Sequence, residues 1–76
     1  MARAKPLHIA ASLRVIGRHK RTAGISLQAA RDIIQGAAAA PSLSHDDRLM
    51  VEELERVTGE SIAELARLAN QWLPRK

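Results

Sequence analysis

The chain contains no cysteine, no tyrosine and no phenylalanine, and Trp72 is its single aromatic residue. Without thiols, neither disulfides nor thiolate metal centres can brace the fold. One aromatic ring offers no platform for stacking the bases of a single strand, and little of the residue class that favours sheet. Long apolar runs are missing too, since no stretch approaches the roughly 18 residues of a membrane span. Acid is absent from residues 1–31 altogether. With 76 residues there is room for one domain, 1–76, with short tails at 1–6 and 74–76. Such a chain buries little more than half of its unfolded surface and is marginally stable, so oligomerisation is the expected supplement to its core.

What is present is unevenly distributed charge. Residues 1–31 carry seven cations, Arg3, Lys5, Arg14, Arg18, Lys20, Arg21 and Arg31, whereas from Asp32 onward eight acids face five cations. The net charge of +4 therefore hides a basic N-terminal third joined to a mildly acidic remainder. That asymmetry predicts an anionic partner for one end of the molecule.

Apolar spacing and turn signals predict four short amphipathic helices, no strand and no internal repeat. The first is expected from about Leu7 to Ala23, with Ile9, Leu13 and Ile16 on one side and Arg14, Arg18 and Arg21 opposite. The second follows the N-cap candidate Ser26 and turns Leu27, Ala30, Ile33, Ile34 and Ala37 inward, with Gln28, Asp32 and Gln35 away from that face. The third starts at Ser44, with Asp46 and Asp47 complementing the positive end of its dipole. It is expected to bury Met50, Val51, Leu54 and Val57 and to stop at Gly59. In the fourth, Ser61 and Glu64 have the spacing of a reciprocal capping box, and Ile62, Leu65, Leu68, Ala69, Trp72 and Leu73 form a broad apolar face before Pro74. The predicted class is all-α.

Catalysis finds no support in these residues. His8, His19 and His45 are widely spaced and no metal site is expected. Ser26, Ser44 and Ser61 stand where helices start, no glycine-rich phosphate loop exists, and Glu52 and Glu53 beside Arg56 read as a solvated face. No catalytic residue and no cofactor is expected. The basic stripe is the informative feature. Arginines at i, i+4 and i+7 suit phosphates spaced along a nucleic-acid backbone, where each neutralised phosphate releases counterions. The plainer alternative is that arginine is a good helix former on a helix that must turn something polar outward. An Arg-rich, acid-free leading segment is also the composition of an organellar transit peptide, but its removal would take the first helix from a marginal core. A membrane-surface helix would carry bulkier apolar residues than Ile9, Leu13 and Ile16, so no membrane partner is expected.

Residues 43–73 carry Leu43, Val51 and Leu54, then Thr58-Gly59-Glu60-Ser61, then Glu64-Leu65-Ala66-Arg67 and Ala69. This pattern resembles the helical part of the ribbon-helix-helix DNA-binding regulators, many of them antitoxins. The resemblance implies a DNA phosphate held at the turn and at the start of the last helix, here at Ser61. The family reads bases with a strand before its first helix; here that place is Ala37-Ala38-Ala39-Ala40-Pro41-Ser42, without a base-reading side chain. Residues 15–59, with Val15-Ile16, Gly24-Ile25, Leu27, Ala30-Arg31-Asp32-Ile33-Ile34, Ala37 and Ser44-His45-Asp46-Asp47, are similar to the C-terminal domain of the bacterial ribosomal stalk protein. That likeness implies an α/β domain that recruits translation factors.

The resulting expectation is a cytoplasmic, non-enzymatic, helical DNA-binding regulator that works as a homodimer. Arg3, Lys5, Arg14, Arg18, Lys20, Arg21 and Ser61 would contact the backbone. Leu65, Leu68, Trp72 and Leu73 would form the dimer interface, because a core this small could hardly enclose both Trp72 and Leu73. The alternative is a protein-interaction module, a small inhibitor or adaptor that docks on a larger protein, for which a basic patch serves equally well.

Overall fold

A computed structural model describes residues 6–72, which form four α-helices and no strand. These are α1, Pro6–Lys20; α2, Leu27–Ala39; α3, His45–Thr58; and α4, Ile62–Ala69. The helical class read from apolar spacing is thus present, and the α/β architecture implied by the stalk-protein likeness is not. Where the ribbon-helix-helix family places its strand, the last turn of α2 runs on to Ala39.

Local chemistry sets the ends. Pro6 opens α1 rather than preceding it, as suits a residue with a helical φ and no amide hydrogen to satisfy. The other three helices start at serines whose hydroxyls accept the N–H three residues on, each at 3.1 Å: Ser26 from Ala29, Ser44 from Asp47 and Ser61 from Glu64. Gly59 ends α3 with φ 73°, a left-handed conformation that a Cβ would disfavour.

α1 ends before the expected Ala23, and the cause is a left-handed arginine. Arg21 takes φ 56°, its N–H donates to the Arg18 carbonyl at 3.3 Å, and the Thr22 N–H reaches back to the Gly17 carbonyl at 3.0 Å. This is the closing pattern of a helix whose C′ residue is usually glycine, so its signal was hidden in the sequence. Gly17 supplies the room, since a Cβ there would lie 3.0 Å from the Thr22 carbonyl oxygen. α4 also ends early, at Ala69 rather than near Leu73. Asn70, Gln71 and Trp72 then donate to carbonyls three residues back, a tightened turn that swings Trp72 inward.

α1 packs chiefly on α3 and α2 chiefly on α4, while helices consecutive in the chain touch sparingly. The chain is therefore two helix–turn–helix pairs, joined by residues 40–44, each covering the other's apolar faces. Both use the same punctuation: a glycine at φ 67° or 73°, one residue, then a capping serine, in Gly24-Ile25-Ser26 and Gly59-Glu60-Ser61. No repeat was visible in the sequence because turn residues recur and the helix faces do not.

The shared core holds Val15 and Ile16 of α1, Ala30 and Ile34 of α2, Met50 and Leu54 of α3, Leu65 and Ala69 of α4, and Trp72. Ile9, Leu13, Leu27, Ile33 and Ile62 pack around its edge. Two expected positions are corrected. Val57 is 48% exposed and Thr58 takes the buried place, its hydroxyl donating to the Leu54 carbonyl at 2.6 Å and so entering the interior paired. Gln35 is not turned away, since its Nε2 donates to Asn70 Oδ1 at 2.6 Å and joins α2 to α4.

Candidate functional site

The basic stretch of α1 lies against α3, and the acids of α3 meet it. Glu53 spends both carboxylate oxygens there: Oε2 pairs with the Arg18 guanidinium and Oε1 accepts from His19 Nε2 at 2.8 Å. Lys20 Nζ donates to Asp47 Oδ1 at 3.0 Å. The Lys20 ammonium, by hydrogen bond and then by charge, holds the Asp47 carboxyl below the ordinary carboxylate range. The expectation that Glu53 belongs to a solvated face is thus corrected. Its side chain is 18% exposed, and it is a bridge between helices.

Arg14, Arg18, Lys20 and Arg21 are all exposed, but they do not form the continuous stripe expected of one helix. Arg14 and Arg18, one turn apart, share a face of α1. Arg21 stands beyond the helix end, so the i+7 relation that placed it on the stripe no longer applies. Among the described residues Arg14 and Arg21 make no ion pair. Arg18, though paired, keeps a 59% exposed side chain. Arg3 and Lys5 lie outside the described residues, as does Leu73.

Ser61, expected to hold a phosphate through its backbone, starts α4. Its hydroxyl is engaged as the N-cap of α4, and the next amide, Ile62 N–H, donates to Glu55 Oε2 at 2.8 Å. A carboxylate from α3 therefore already occupies the positive end of the α4 dipole. The reciprocal half of the expected capping box is absent, because the Glu64 carboxylate turns to Arg67, whose Nε donates at 3.0 Å. Arg67 lowers the pKa of Glu64, and Glu64 raises that of Arg67.

The expected interface residues are corrected as well. Leu65 is fully buried, and Leu68 and Trp72 are 8% and 6% exposed, all within the single chain. The turn after Ala69 folds Trp72 onto the core, which apolar periodicity along a straight helix could not show. Among the described residues, the large apolar side chains left outside are Leu49, 43% exposed, and Val57, both on α3.

A shallow cleft of about 290 Å³ lies between α2 and the start of α3, lined among others by Ile33, Gly36, Leu43 and Met50. The Lys20–Asp47 pair that borders it is closed on itself. No group of three or more His, Asp or Glu among the described residues is placed to hold a metal, and no helix there is long and apolar enough to cross a membrane. No protein-family model, curated protein or solved structure matches the chain.

Proposed function

We propose that the chain is a small, non-enzymatic helical module that binds the phosphate backbone of DNA in the cytoplasm, in the manner of a transcriptional regulator or an antitoxin. The observation that supports this reading is three exposed arginines, Arg14 and Arg18 one turn apart on α1 and Arg21 just past its end, in a segment without acid from residue 1 to residue 31. Guanidinium groups on a helix and just past its end suit successive phosphates, whose neutralisation releases counterions. Contacts of this kind position a protein without reading bases, so the affinity is expected to vary little with sequence. Leu65, Leu68 and Trp72 are enclosed by the chain itself. A homodimer would use another face; among the described residues Leu49 and Val57 are the exposed large apolar side chains.

A second reading has its own observation. Glu53 and Asp47 pair with Arg18 and Lys20 within the chain, which leaves fewer free cations for a polyanion and suits a protein-docking module. Replacing Arg14, Arg18 and Arg21 together with glutamine separates the two. On the DNA reading, the slope of log affinity against log salt becomes shallower by up to about three, with a similar loss on every DNA sequence and little change in helical content. Equal slopes, or a parent protein that does not bind DNA at low salt, overturn the DNA reading in favour of a protein partner.

A further inference from the structure

Two acids of α3, Asp47 and Glu53, are paired with side chains of the basic end of α1. Glu53 is mostly covered while Arg18 is mostly exposed, and both Glu53 oxygens are committed to α1. Its neighbour Glu52 is exposed and makes no ion pair among the described residues. The helical pitch, not mere acidity, therefore brings Glu53 to α1. One turn from Arg18, Arg14 is open to an anion, and so is Arg21 beyond the helix end. At Arg18, by contrast, a carboxylate is already seated against the guanidinium.

We propose that Glu53 is a built-in competitor for the basic edge: it occupies Arg18 and His19 in the free protein, and a polyanion gains those two side chains only by displacing it. The inference rests on the DNA-backbone reading given above. Lys20 is guarded in the same way by Asp47, more weakly, because both partners of that pair are about 40% exposed (41% and 38%). Glu53 thereby sets how many phosphates the edge engages and how steeply binding depends on salt.

Three single variants test this on the full chain with a short mixed-sequence DNA duplex. Glu53→Gln keeps the size of the side chain and removes its charge; it should bind more tightly than the parent, with a slope steeper by about 0.9 for each phosphate newly engaged. One added contact makes the gain over the parent shrink about 3.5-fold between about 50 and about 200 mM salt. Glu52→Gln changes net charge equally but lies outside the contact, and should alter affinity less than about twofold. Asp47→Asn should show a gain in the same direction but smaller, and it decides the matter by the same criterion if Glu53→Gln loses its helical circular dichroism. Equal gains from Glu53→Gln and Glu52→Gln overturn the competitor role, as a simple effect of net charge. If the parent binds, the arginine triple variant weakens it and Glu53→Gln changes nothing, the competitor role falls while the DNA reading stands. Binding by neither parent nor variant overturns both.

Discussion

Leu54 and Leu49 lie on the same helix, yet the structure gives them opposite fates. Leu54 is fully enclosed in the shared core, and Leu49 is 43% exposed. Truncation of both to alanine removes the same atoms and changes helix propensity equally, so the difference in cost reports tertiary burial alone. A buried Leu→Ala change costs about 2–5 kcal/mol, through lost transfer energy plus the cavity left behind. For a chain of 76 residues the whole stability is on the order of 4–11 kcal/mol. A loss of about 3 kcal/mol at Leu54 would therefore remove a large share of it. With a urea slope of about 1 kcal/mol per molar, the midpoint should fall by about 3 M. The melting temperature should fall by roughly 12–24 °C, at about 4–8 °C per kcal/mol for a domain of this size. Leu49→Ala should cost less than about 1 kcal/mol, because much of its surface stays in water. Equilibrium urea unfolding followed by circular dichroism measures both. Costs within about 1 kcal/mol of each other, or a larger cost at Leu49, would refute the orientation assigned to α3.

Three further outcomes are expected. Gly36→Ala should stabilise by about 0.5–1 kcal/mol, since its Cβ meets open space in a helix interior, whereas Gly17→Ala should destabilise because its Cβ would crowd the Thr22 carbonyl; thermal melts give the two signs. Gln35→Ala and Asn70→Ala should each cost about 0.5–1.5 kcal/mol, and the double variant should lose less than their sum; strict additivity would mean that the α2–α4 hydrogen bond is not made. Lys20 lowers the Asp47 pKa in the folded chain, so the pair contributes fully above the ordinary carboxylate value. That contribution is lost as pH falls from about 4 through the lower folded value. Because the pair is exposed and screened, the effect is well under about 1 kcal/mol, and Asp47→Asn should flatten this acid limb of stability in low salt only.

Helix class, helix number and three of the four starts were legible in the residues alone, for a local reason. A serine hydroxyl reaches the amide three residues on without help from the rest of the chain, and apolar spacing at the helical period marks an inward face. Gly59 was readable on the same ground, because a left-handed residue after a helix favours the side chain that has no Cβ. Arg21 in the same conformation was not, since nothing in an arginine announces it; the helix end is held there by closing hydrogen bonds and by the room at Gly17. Tertiary structure alone decided the rest. Periodicity says that Glu53 faces somewhere, but only the packing of α1 on α3 turns that direction toward Arg18 and His19. In the same way the turn beyond Ala69 carries Trp72 into the core. A count of cations along the chain therefore overstated the open basic face, because the charges that neutralise part of it lie 27 to 35 residues away in sequence and within hydrogen-bonding reach in space.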